Sequence, residues 1–317
     1  MPGFTTHYLF GVDAYKKISN PKLKQKIGDN HCAFALGLQG PDVFFYYLPS
    51  YYLCPKGLGD LAHHKDTGLF FANLLDSREL FGEDSFKQAI ADAYIIGYIG
   101  HYTLDCIIHP YVYAFTKYDP KQPKKLTEYF GQHTYLETEI DNELLFIKKK
   151  IYPSKFHQDH TVALTSEERE VIAQMLTYAY NNTYSGVHIK KRNVIGASKW
   201  MKLGSKLLND PSGRKKVLVR FTEKLLIGNP FISPMVASDT YRFVDDPLNL
   251  AHRRWYHPWT HNASEESFMD LYKKAELLYH HRICDFHMLI SNGFTEQGRM
   301  EFCHSYGNRS FLSGQPL

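Results

Sequence analysis

The chain has 317 residues, a net charge of +4 at pH 7, 44% hydrophobic and 22% charged residues, the balance of a folded protein with ample core. So small an excess of base argues against a dedicated polyanion binder, while an anionic substrate or membrane surface stays open. No apolar run approaches the roughly eighteen residues of a membrane span, and the start Met1-Pro2-Gly3-Phe4-Thr5-Thr6-His7 lacks the basic and apolar stretches of a secretory signal.

Helical periodicity and helix caps recur along the chain and strand signals are few, so an all-α fold is expected. His31 to Leu38 reads as a short helix stopped by Gly40-Pro41, and His63 to Leu75 as another. Phe86 to His109 is the longest helical stretch, with Pro110 marking its expected end. Gly97 and Gly100 lie inside it, and a glycine pair there implies another backbone packed close against that face. A further helix runs from about His133 to Lys149, and Thr165-Ser166-Glu167-Glu168 is a capping box before a helix reaching about Asn181. Val194–Leu208 and Lys215–Ile227 form a pair, 229–261 is a proline-punctuated loop, and Asn262-Ala263-Ser264-Glu265 opens a last helix to about Ile290. With no repeat or low-complexity linker, one domain is expected over 1–317. Its polar motifs lie in 1–145, a helical remainder in 146–290, and an irregular tail in 291–317.

The five cysteines, Cys32, Cys54, Cys106, Cys284 and Cys303, are odd in number and form no CxxC pair. Reduced thiols in a cytoplasmic protein are the expectation. The 17 histidines are about twice what a chain of this size carries on average. In a helix, residues four apart share one face, so His101, Asp105 and His109 form a polar stripe among Ile99, Leu104, Ile107 and Ile108. Such a stripe hydrogen-bonds within a buried network or binds a cation. His133 and Glu137 stand at the same spacing, with Asp141 one turn on; the alternative to a metal pair is a solvated acidic face. Gly40-Pro41-Asp42 precedes the aromatic run Phe44-Phe45-Tyr46-Tyr47, His63-His64 follows, and His7 stands near the start.

Taken in order, His7, Asp42, His63, His101-x-x-x-Asp105, His109 and His133-x-x-x-Glu137 resemble the zinc-dependent phospholipase C family, and its uncharacterised intracellular bacterial branch in particular. The single-strand-specific zinc nucleases are similar in arrangement. The resemblance covers about 1–145 by motif and implies a zinc hydrolase of phosphodiesters with up to three ions. Asp42, His63, His101 and Asp105 would hold the first ion, and His109, His133 and Glu137 the second. His7, the bridging Asp105 and, once Met1 is trimmed, the amine and carbonyl of Pro2 would hold the third. Asp42 would be the general base, and Asp105 would hold two ions together as the other catalytic residue. Val43 stands where the phospholipases carry an aromatic, and the gap from Asp105 to His109 is shorter than in the secreted enzymes.

A zinc pair would activate water and clamp phosphoryl oxygens. Tyr46 and Tyr47 could meet a choline-like headgroup by cation–π contact. Arg253 and Arg254, in Asn249–Trp259, could fork onto phosphate, or that segment is a packed loop. The expected substrate is a phospholipid or a small phosphodiester, with peripheral membrane-surface contact possible. Nucleic acid is less favoured because no basic stripe accompanies the aromatics of 44–52. The alternatives are a single-strand nuclease-like phosphodiesterase and a non-catalytic partner-binding module with a structural zinc core.

Overall fold

The structure, a computed structural model, describes residues 3–121, 126–239 and 245–317, and the side chains of 126–129 lie outside the described set. Its first seven α-helices are α1 Phe4–Lys17, α2 Pro21–Asp29, α3 His31–Gly37, α4 Ser50–Leu53, α5 Leu58–His64, α6 Thr67–Asp76 and α7 Ser85–Phe115. Then come α8 Leu126–Lys149, α9 Gln158–Thr161, α10 Ser166–Thr183, α11 Lys191–Leu207, α12 Arg214–Leu226, α13 Phe268–Ser291 and α14 Glu296–Tyr306. Among the described residues, strand is limited to two-residue pairs. β1 (Asn209–Asp210) runs parallel to β2 (Ala237–Ser238), and β3 (Trp255–Tyr256) antiparallel to β4 (Ala263–Ser264). The fold is all-α, as the periodicity implies. Among the described residues, no helix is long and apolar enough to cross a membrane, and all five cysteines are free.

The axis of the fold is α7. A helix that is apolar around its whole circumference has to sit inside a protein, and α7 is buried continuously from Ile90 through Asp105. Around it pack α3, α10 and α13. One cluster of buried apolar side chains runs from Phe4 to Phe311. The glycine pair does what its position implies. A Cβ on Gly97 would stand 2.2 Å from the carbonyl oxygen of Phe34 and 2.9 Å from the Cα of Gly37, so α3 and α7 cross backbone to backbone. At Gly100 the neighbour is the Tyr279 ring of α13, 2.7 Å from such a Cβ. Gly97→Ala should therefore destabilise the protein. The overpacking costs up to about 3 kcal/mol against about 1 kcal/mol gained in helix propensity. A denaturation midpoint unchanged or raised in this variant would contradict the backbone contact.

Several boundaries differ from the sequence expectations, α8 among them, which begins at Leu126 rather than about His133. The run from His63 to Leu75 is two helices, broken at Asp66, which adopts a left-handed conformation. α7 passes through Pro110 and ends at Phe115. Proline forfeits one backbone bond, but buried packing on Tyr111 and Val112 holds the helix on. The capping box before α13 is Ser267 with Asp270, while Ala263–Ser264 is strand. Finally, the tail expected to be irregular contains α14, N-capped by the Thr295 hydroxyl. The Thr165/Glu168 capping box is present as read.

Candidate metal centre

Five elements deliver the motif residues to one place. α1 carries His7, the 3-10 turn Gly40–Phe44 carries Asp42, and α5 carries His63. α7 contributes His101, Asp105 and His109, and α8 contributes His133 and Glu137. The turn needs its glycine. Gly40 has φ +50, and a Cβ there would stand 2.3 Å from the His101 ring. Only glycine both tolerates that backbone and lets Asp42 approach α7. All eight side chains are buried.

The stripe on α7 is the centre of the arrangement. Asp105 directs Oδ1 to His7 Nε2 at 3.1 Å, and Oδ2 to His101 Nε2 at 3.3 Å and His63 Nε2 at 3.6 Å. Asp42 Oδ1 lies 3.2 Å from His63 Nε2 and 3.8 Å from His101 Nε2. A few ångströms along, Glu137 Oε1 lies 2.7 Å from His133 Nε2 and 3.9 Å from His109 Nε2. Three groups thus bring ligand atoms within 4.8 Å of one another: His7, His101 and Asp105; Asp42, His63 and His101; His109, His133 and Glu137. Each could hold a metal ion.

Backbone carbonyls fix the rings from behind. His63 Nδ1 meets the Gly59 carbonyl at 2.7 Å, His101 Nδ1 that of Leu38 at 3.1 Å, and His109 Nδ1 that of Phe311 at 2.7 Å. A carbonyl only accepts, so each Nδ1 carries a hydrogen and each Nε2 faces the centre. There, the Nε2 atoms of His7, His63, His101 and His109, Asp42 Oδ1 and both Asp105 oxygens make no hydrogen bond. A buried polar atom left so costs about 1–3 kcal/mol, and seven in one place are not a plausible resting arrangement without a cation. The donor set of imidazole nitrogens and carboxylates is the one zinc takes. The residues fit the metal.

Burial and neighbours set the charge states. Burial lowers His101, His109 and His133 below the ordinary imidazole range, keeping them in the neutral form that binds metal. His63 goes the other way: burial would lower it, but the Asp105 and Asp42 carboxylates raise it to about 9. Burial likewise pushes Asp105 up, yet the imidazoles of His109, His101, His63 and His7 hold it well below the usual carboxylate range. Asp42 is raised, chiefly by burial.

A cavity of about 400 Å³ opens on this centre and is lined by Asp42, His63, His133 and Glu137. Phe45, Tyr46, Phe130 and Phe156 form apolar walls, and Asp60 and Asp141 add further acids. Among the described lining residues there is no lysine or arginine. Tyr46 faces the cavity. Tyr47 does not line it and sits edge-on to Trp200 at 6.0 Å. Arg253 and Arg254 do not line the cavity. Arg254 bonds Glu265 at 2.7 Å and Arg253 lies 3.6 Å from Asp246. Their segment is the packed loop: Trp255 stands edge-on to Tyr111 at 5.7 Å, and Trp259 edge-on to Tyr113 at 5.2 Å. His64 is exposed at the cavity rim, its Nδ1 on the Asp60 carbonyl. Pro2 lies outside the described residues.

Sequence reasoning missed two contributors. Asp141 accepts hydrogen bonds from Thr5 N at 3.0 Å, Thr6 N at 2.8 Å and Thr6 Oγ1 at 2.6 Å, pinning the start of α1 and hence His7 to α8. Burial lifts its carboxyl to about 6 despite those bonds. Its signal was present as the acid one turn beyond Glu137. Phe311 is the other. Its carbonyl holds His109, its amide reaches the His63 carbonyl at 3.3 Å, and its ring lies edge-on to His63 at 4.9 Å.

With the geometry in view, the comparison is specific. The family model described as zinc dependent phospholipase C matches residues 6–184, a span holding every candidate ligand from His7 to Glu137. No curated protein and no solved structure gives a match.

Proposed function

Because the chain belongs to the zinc-dependent phospholipase C family, we propose that it hydrolyses phosphodiesters of phospholipid type at a multi-zinc centre, the whole chain working as one domain. The observation that carries this reading is the buried convergence of imidazole nitrogens and carboxylate oxygens in three groups, with seven atoms of His7, Asp42, His63, His101, Asp105 and His109 making no hydrogen bond. Asp42, His63, His101 and Asp105 would hold one ion, and His109, His133 and Glu137 a second. His7 and Asp105 would hold a third. When bound, zinc supplies activated water at neutral pH and charge relief on the phosphoryl group.

The chain's own residues do the rest. Asp42 is the acid of the first group that faces the cavity, and burial raises its carboxyl, bringing it closer to the range where a base is poised to take a proton. Asp105 is sealed behind it and holds the imidazoles of α1, α5 and α7 in register. Phe45, Tyr46 and Phe156 exclude water from the cavity wall. The absence of lysine and arginine among the described lining residues disfavours a polyanion tracking along the site. A cation-bearing headgroup instead suits aromatic walls flanked by carboxylates. Five free thiols support a reducing compartment such as the cytoplasm.

Elemental analysis after zinc-replete expression should give more than one zinc per chain. Phosphocholine release from phosphatidylcholine should exceed nucleotide release from single-stranded DNA. Zinc-free protein would sink the reading. Preferential nucleotide release would move it to the nuclease alternative, and a zinc-loaded protein inert on both would leave the structural core alone.

A further inference from the structure

An amphipathic helix in a folded protein turns its apolar face inward, and α12 does the reverse. Its buried positions are Lys216 and Glu223. The Lys216 amide donates to Asp210 Oδ2 at 2.8 Å, and Glu223 Oε1 accepts the amides of Phe231 at 3.1 Å, Ile232, and Ser233 at 3.0 Å. The helix is thus docked through polar groups. Val217, Leu218, Phe221 and Leu225, which share an arc of about 100°, point away from the protein. Leu218 is 63% exposed, Phe221 60% and Leu225 69%. The preceding helix α11 exposes Trp200, Leu203 and Leu207, spaced for one helical face.

Charge selects the occupant. From Lys190 to Gly228 the sequence holds eleven lysines and arginines against two acids, Asp210 and Glu223, and both acids are buried. The whole chain nets only +4, so positive charge is concentrated on this one module while the remainder is net negative. A second copy of the chain would set this surface against its own like charge. Exposed leucine, phenylalanine and tryptophan interleaved with lysine and arginine are what an anionic membrane interface takes up. The same module forms part of the cavity wall, through Ser205, Leu208 and Asn209.

We propose that the outward apolar face of α12, with the basic and aromatic face of α11, docks the protein on anionic phospholipid bilayers beside the mouth of its cavity. The use of that docking, delivery of lipid headgroups to the centre, rests on the phospholipase reading; the docking itself does not. The test is co-sedimentation with vesicles of equimolar phosphatidylcholine and phosphatidylglycerol, and with vesicles of phosphatidylcholine alone. The anionic vesicles should bind the protein at least about tenfold better, and high salt should release it. Leu218→Ser/Phe221→Ser should lose about tenfold in vesicle binding yet hydrolyse monomeric short-chain phosphatidylcholine within about twofold of the parent, since neither residue lines the cavity. Lys199→Glu/Lys202→Glu should lose the preference for anionic lipid. Equal vesicle binding by the parent and both variants overturns the proposal. So does a concentration-dependent dimer that disappears in Leu218→Ser/Phe221→Ser. Vesicle binding without any phospholipid hydrolysis leaves the docking standing and removes the phospholipase reading; hydrolysis of the monomeric substrate without vesicle binding does the opposite.

Discussion

Asp105→Asn is expected to lose at least about a thousandfold in turnover, several kcal/mol of barrier, together with most of the bound zinc. Glu137→Gln should lose much less of both. The asymmetry comes from position. Asp105 divides its oxygens between His7 on one side and His101 and His63 on the other, so one charge serves two ligand groups. Glu137 serves one, beside His133 and His109. An amide at 105 keeps the shape but removes the negative charge, and it puts an NH2 among imidazoles whose Nδ1 atoms on Leu38 and Phe311 already fix their lone pairs inward. Zinc content by elemental analysis, measured beside activity, separates loss of metal from loss of chemistry alone. Equal losses in the two variants would mean that the bridging role has been given to the wrong acid.

The candidate centre was legible where helical spacing alone could encode it. His101, Asp105 and His109 are one turn apart on a helix too apolar for an idle polar stripe, and His133 and Glu137 repeat the device on α8. Joining them to His7, Asp42 and His63 needed the family resemblance, because nothing local states that α1, a 3-10 turn and α5 converge on α7. The carbonyls of Leu38, Gly59 and Phe311 were invisible in principle, since every residue has one and only the fold selects which is used. Asp141 was visible as the acid one turn beyond Glu137, with a metal pair and a solvated face both open. What decides its role is the facing Thr5 and Thr6 amides, 135 positions or more away in sequence. For Arg253 and Arg254 the sequence left a phosphate clamp and a packed loop both open, and only the fold shows their partners, Asp246 and Glu265. Pro110 shows how burial overrides a local rule: the helix loses one bond and keeps its packing.

Removing the metal should weaken the whole fold, and by more as pH rises. An ion at about a thousand times its Kd stabilises the folded state by about 4 kcal/mol. At about 2 °C per kcal/mol for a chain of this length, chelation of two ions lowers the thermal midpoint by roughly 15 °C. The centre couples distant segments, so the effect is global: α1, the Gly40–Phe44 turn, α5, α7 and α8 carry the candidate ligands, and Phe311 locks two of the rings. In the metal-free protein a proton on His63 partly replaces the missing cation, because the Asp105 and Asp42 carboxylates raise its imidazole from 6.5 to about 9 against the effect of burial. A raised folded-state value contributes stability that is fully present below pH 6.5 and is lost as pH climbs through about 9. Above that, the two carboxylates face each other with neither metal nor proton between them. The midpoint of chelated protein should therefore fall from neutral pH to above 9, and His63→Gln should flatten that fall. Zinc-loaded protein, whose His63 has no proton to release, should show no such step. A chelated midpoint that holds constant over this range, or one that falls equally in His63→Gln, would show that His63 is not the group carrying the charge.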